Sequence, residues 1–190
     1  MPVFPLITNS LIQVSETIHP FLDGNGRLGR LLIVLLLHHR GLLSEPLLYL
    51  SLYLKQHRPL YYELLDRVRA TGDWEAWVDF FLEGVDQTAR SAVQTARRLV
   101  DLFEADTGRI QQSGRAAANA LRVLAALRHR PVLTLKSVCD NHGLTFPTAS
   151  KAMQSLVTAG IARELTGQRR NRVFVYDGYL SILNEGGQPL

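Results

Sequence analysis

The chain has 190 residues, enough for one large or two small domains, and its 46% hydrophobic content excludes a largely disordered protein. The longest uncharged apolar run, Leu31 to Leu37, is too short to span a bilayer, and Met1 to Pro5 lacks the basic region of a secretory signal, so a cytoplasmic protein with no membrane partner is expected. The formal net charge of +4 is uneven: residues 1–110 hold 11 Lys+Arg and 13 Asp+Glu, while residues 111–190 hold 10 and 4, so a second module facing a polyanion is expected. The single cysteine, Cys139, excludes an internal disulfide and reads as a small apolar filler.

In chain order, Ile7, Leu11, Val14 and Ile18 form one helical stripe over residues 6–18, which Pro20 ends. A loop follows over residues 19–26. Residues 27–40 then read as a helix apolar nearly all round, the type that sits at the centre of a bundle, with His38 and His39 in its last turn. Leu47 to Gln56 reads as a short helix, and Pro59 opens another that runs to Thr71-Gly72. Asp73 is an N-cap for a long helix with Trp74, Trp77, Val78, Phe81, Leu82 and Val85 inward, reaching Glu104. Asp106-Thr107-Gly108 matches the aspartic-protease triplet in letters only and reads as a turn within a polar joint, residues 106–116.

Beyond the joint the pattern changes. Ala117 to Arg128 is a helix with Leu121, Leu124 and Leu127 inward, ended by Pro131. Thr134 caps a short helix, Leu135 to His142, and Gly143 stops it. Thr145 caps the next, with Pro147 in its first turn and Ala149, Met153, Leu156 and Val157 as its apolar face. Two strands, Ile161 to Leu165 and Val173 to Tyr176, flank a turn, and Tyr179 to Leu183 closes the module. A helix-turn-helix followed by a hairpin is the winged-helix arrangement.

The densest chemistry lies in His19-Pro20-Phe21-Leu22-Asp23-Gly24-Asn25-Gly26-Arg27-Leu28-Gly29-Arg30. Residues 24–29 fit the dinucleotide pattern G-x-G-x-x-G, but a helix precedes them and no parallel strand follows, so that reading fails. The physics still favours an anion site. Gly24 and Gly26 let the backbone approach a ligand, and a helix N-terminus offers free N–H groups. Arg27 and Arg30 share the first turn and can fork onto phosphate oxygens. Asp23 is an oxygen ligand suited to Mg²⁺, and His19 titrates near neutrality as a general base.

This segment matches H-P-F-x-D-G-N-G-R-x-x-R at every fixed position and so resembles the Fic-domain signature. The resemblance implies a mainly α protein: part of a Fic-type helical bundle, followed, as in many bacterial members, by a winged helix-turn-helix with a small β-hairpin. Residues 1–105 would be the C-terminal part of the Fic core, 106–116 a linker, 117–184 the winged helix and 185–190 a tail. It implies a protein adenylyltransferase that moves AMP from ATP onto a Ser, Thr or Tyr hydroxyl of a protein substrate, or onto itself, with Mg²⁺. His19 would deprotonate the hydroxyl and Asp23 would hold the Mg²⁺. Asn25, with the backbone of Gly24 and Gly26, would cradle the α-phosphate. Arg27 and Arg30 would bind the β- and γ-phosphates, and Phe21 would point inward to anchor the loop. The family places further core helices, a target-docking flap and, in many members, an inhibitory helix upstream; the 18 residues before His19 contain neither flap nor inhibitory motif, and Ser15 stands where a bulky apolar residue is common. A chain short at its N-terminus, with uncovered apolar surface and either a homodimer or instability, is therefore expected.

In the second module, residues 145–159 would be the recognition helix. Lys151, with Arg169, Arg170 and Arg172 on the wing, are candidate DNA contacts. The alternative function is non-enzymatic: a DNA-binding or interaction module carrying a vestigial Fic half.

Overall fold

Apolar residues spaced three and four apart through most of the chain give a mainly helical protein. The computed structural model describes residues 21–43, 49–112, 114, 117–168 and 171–185. The helix read over residues 6–18, the Pro46 position, Arg169, Arg170 and the tail 186–190 lie outside the described residues, as does His19. The elements are α1 (Asn25–His39), α2 (Leu50–Gln56), α3 (Arg58–Thr71), α4 (Trp74–Gln111), α5 (Ala117–His129), β1 (Val132–Thr134), α6 (Leu135–His142), α7 (Phe146–Thr158), β2 (Arg163–Glu164), β3 (Val173–Val175) and α8 (Asp177–Asn184). No described helix is long and apolar enough to cross a membrane. The chain divides into two compact units, Met1–Val93 and Gln94–Leu190, and the division falls inside α4.

In the first unit, one stripe of each helix faces a shared core: Ile33 and Leu37 of α1, Leu50 and Leu54 of α2, Leu64 and Leu65 of α3, and Trp77 and Phe81 of α4. Each such side chain contributes about 1.5–3 kcal/mol by leaving water. Pro59 sits in the first turn of α3, and Gly72, in the left-handed conformation, closes its end. Asp73 caps α4 as its sequence position predicts, its Oδ1 accepting the Ala76 N–H at 3.4 Å. Gly84 is required where α4 meets α2, because a Cβ there would lie 2.5 Å from the Tyr53 ring. The structure corrects one expectation. α1 is not covered all round: Asn25, Gly29, Ile33 and Leu37 are buried, while Leu28, Leu31 and Leu35 are exposed. Among the described residues, its neighbours in this unit contact one face.

The second unit is built on the C-terminal part of α4, the helices α5 to α8 and a sheet. Its core holds Ile110, Leu124, Leu127, Val138, Met153, Leu156 and Phe174. Thr134 caps α6, accepting the Ser137 N–H at 3.2 Å, and Gly143 in the left-handed region turns the chain toward α7. The sheet has three antiparallel strands in the order β1-β3-β2, with Leu133 opposite Phe174 and Glu164 opposite Phe174 on the other side. The hairpin read from the sequence is therefore joined by a third strand, β1, whose three residues are too few to show a period of two. Asn171, with φ of 53°, makes the turn before β3, a conformation Asn tolerates better than most residues. The second correction concerns Asp106-Thr107-Gly108. These residues are helical, because α4 continues to Gln111 rather than ending near Glu104.

Candidate functional site

The loop before α1 is shaped by its own short-range bonds. Asn25 is buried at the helix start. Its Nδ2 donates to the Phe21 carbonyl at 2.7 Å, and its Oδ1 accepts the Phe21 N–H at 3.0 Å. One amide thus closes a ring of five residues. Gly24 adopts φ 86° and ψ 4°, a left-handed conformation that residues with a Cβ rarely adopt. The first helical bond runs from the Leu28 N–H to the Gly24 carbonyl at 3.0 Å. The N–H groups of Asn25, Gly26 and Arg27 precede it and head the helix, where its dipole is positive.

Asp23 lies at the mouth of this turn, its side chain 90% exposed. Its Oδ1 accepts the Gly24 N–H at 2.6 Å and its Oδ2 accepts Arg27 Nη2 at 3.0 Å. Arg30 lies one turn further on and makes no ion pair among the described residues. The fold therefore brings Asp23, Gly24, Asn25, Gly26, Arg27 and Arg30 together within a loop and the helix turn after it. One detail differs from the expected roles. Phe21 does not anchor the loop inward; it is 56% exposed. The Asn25 amide bonds the Phe21 backbone through its oxygen and one of its two N–H groups, which leaves the second N–H beside the backbone N–H groups and the arginines of this turn. Among the described residues no group of three or more His, Cys, Asp or Glu could hold a metal. One exposed carboxylate suits Mg²⁺ all the same, since that ion keeps several waters and takes its remaining ligands from substrate phosphates.

The second candidate surface is the outer side of α7. Ala149, Ala152, Met153 and Leu156 face the core. Lys151 and Gln154 are exposed on the opposite side, and Lys151 makes no ion pair among the described residues. Arg172, a candidate DNA contact on the wing, has partners of its own. It pairs with Glu164 and lies over the Phe174 ring, 5.0 Å from its centroid. The hydrogen bond from Arg172 holds the Glu164 carboxyl below the usual carboxylate range. Sequence reading gave no role to Phe146, which opens α7 with 61% of its surface exposed. An aromatic residue one position before a helix-opening proline was the available signal.

Two family models match this chain. Residues 9–37 match the Fic/DOC family, and of these residues 21–37 form the loop and helix just described. Residues 116–165 match the IclR helix-turn-helix domain, which runs from the start of α5 through β2. The chain thus carries a Fic/DOC family segment ahead of an IclR-type helix-turn-helix domain.

Proposed function

We propose that the loop at residues 19–30 transfers AMP from ATP to a hydroxyl of a protein, this chain or another. On this reading residues 1–105 act as part of a Fic core and 117–184 as the winged helix, with the end of α4 leading from one to the other. The observation that carries it is the left-handed turn at Gly24, which opens α1 with Arg27 and Arg30 on the first turns. His19 takes the proton from a Ser, Thr or Tyr hydroxyl. The hydroxyl oxygen then forms a bond to the α-phosphorus as the bond to the β-phosphate oxygen breaks and pyrophosphate leaves. The N–H groups that head α1 receive the α-phosphate oxygens, and Arg27 and Arg30 receive the charge that grows on the leaving pyrophosphate. Asp23 would hold Mg²⁺, and the ion would supply charge neutralisation for the phosphates. The test is incubation of the full chain with Mg²⁺ and ATP labelled at the α-phosphate. Labelling of the chain or of an added protein, abolished by His19→Ala, is expected; labelling that survives His19→Ala refutes the mechanism.

A second reading is favoured by the charge of the C-terminal unit. Glu164, Asp177 and Glu185 are each held in an ion pair, with Arg172, Arg163 and Arg98. Among residues 111–185, Asp140 is the one acid without an ion pair among the described residues, whereas Arg122, Arg130, Lys136 and Lys151 are exposed. That surplus suits duplex DNA, with α7 in the major groove. The chain would then be a DNA-binding module whose Fic segment is vestigial. It predicts binding that weakens steeply with salt and that falls on replacing Arg169 and Arg170; binding indifferent to salt contradicts it.

A further inference from the structure

We propose that Phe146 reads thymine: its ring packs against the C5-methyl group of a thymine in the major groove. The inference rests on the DNA-binding reading of the C-terminal unit and goes beyond it to a base preference.

Phe146 occupies the first position of α7, the second helix of the helix-turn-helix. In this motif the N-terminal residues of the second helix are the ones that reach base edges. The four inward residues of α7 supply its packing to the core, and Phe146 is not among them. It remains 61% exposed and has no aromatic partner among the described residues.

The polar groups around it are unusually quiet. Thr145 and Thr148 bond each other through their hydroxyls at 2.8 Å, so each has less capacity left for a base. Pro147 has no N–H. The first turn of α7 therefore meets a partner mainly with apolar surface, and Lys151 presents a charge one turn later. In the major groove the thymine methyl is the apolar feature, and Phe and the Thr methyl are among the groups that contact it. Lys151 of α7 and the exposed Arg122, Arg130 and Lys136 of the same unit supply the positive charge that DNA phosphates require.

The test uses the full chain and a pool of randomised duplexes, from which bound sequences are selected at low salt. A thymine is expected at one or two fixed positions. Replacing that thymine by deoxyuridine removes the methyl group and leaves base pairing intact. Wild-type protein should lose affinity about fourfold, the value of one buried methyl group at ~0.8 kcal/mol. Phe146→Ala should bind thymine and deoxyuridine duplexes alike, with the wild-type circular dichroism. Equal sensitivity of wild type and Phe146→Ala to deoxyuridine overturns the assignment of Phe146, while salt-dependent binding still supports the DNA reading. A wild-type protein that binds DNA without any response to deoxyuridine also overturns it. No DNA binding by the wild-type chain at low salt overturns both. Loss of self-association in Phe146→Ala, with deoxyuridine sensitivity retained, would reassign the residue to a protein contact and overturn the proposal.

Discussion

Asn25 shows how one side chain can set a loop. Its amide carries two N–H donors and a carbonyl oxygen, and one donor and the oxygen go to the backbone of Phe21. A substitution that keeps shape but removes the donor separates the two bonds. Asn25→Asp keeps the acceptor for the Phe21 N–H but places a carboxylate against the Phe21 carbonyl, which it cannot donate to. Asn25→Ala removes both. Each lost bond is worth about 1 kcal/mol, so exchange of the Phe21 amide hydrogen should speed up about fivefold or more in Asn25→Ala. Global melting should change little, because the loop lies at the edge of the first unit's core. AMP transfer, on the proposed reading, should fall through kcat more than through the KM for ATP, since the turn at Gly24 would lose its fixed shape. Unchanged exchange at Phe21 would refute the positioning role. The motif made the residue types of this loop legible, and the Gly24 turn and the helix start followed from them. It did not reveal that Asn25 would choose Phe21 as its partner, or that Phe21 would face solvent. Those outcomes depend on how the loop closes on itself, which spacing alone does not encode.

The long helix α4 shows the same division at the level of elements. Its N-cap at Asp73 and its apolar face around Trp77 and Phe81 are local signals, and they were readable. Its end was not, because Asp106, Thr107 and Gly108 are poor helix formers locally. Tertiary partners hold them in the helix. Asp106 is 1% exposed, accepts the Tyr176 hydroxyl on one oxygen and pairs with Arg109 on the other. Arg128 donates to the Phe103 carbonyl and to Thr107 Oγ1, and its guanidinium lies over the Phe103 ring. These contacts tie the last turns of α4 to α5 and to Tyr176, between β3 and α8, within the second unit. Burial pushes the Tyr176 hydroxyl well above its ordinary pKa of 10.0, and the hydrogen bond to Asp106 and the charge of that carboxylate add to the effect. An unfolded chain would ionise this tyrosine near 10.0, while the folded chain keeps the proton. The stabilisation is therefore complete below that pH and is lost as pH rises above it. Thermal unfolding of the full chain should show a fall in melting temperature from pH 9.5 to pH 11, about, that is smaller in Tyr176→Phe. At neutral pH the same variant should lose about 1.5–3 kcal/mol, because a buried carboxylate gives up one donor. A variant as stable as wild type at neutral pH would show that Asp106 gains nothing from Tyr176.

At the scale of the whole molecule, apolar surface is left where the pattern of α1 asks for cover. The sequence predicted a helix for the centre of a bundle, and the first unit packs against one of its faces. Leu28, Leu31 and Leu35 recur at helical spacing and are 45%, 55% and 46% exposed. Three half-exposed leucines offer roughly 300 Å² at most, below the ~800 Å² per partner of a stable interface. A weak and reversible association of two copies is therefore expected, consistent with the apolar surface anticipated from the sequence. Sedimentation velocity over a range of concentrations should show a monomer that shifts toward dimer as concentration rises. Leu31→Lys places a charge in the middle of this stripe, where pairing would have to desolvate it. That variant should remain monomeric at every concentration while its helical circular dichroism stays unchanged, because Leu31 contributes little to the core of its own unit. If wild type and Leu31→Lys sediment identically, α1 does not form the contact. If both dimerise equally, the association belongs to another surface, and the exposed stripe is tolerated as ordinary surface on a single chain.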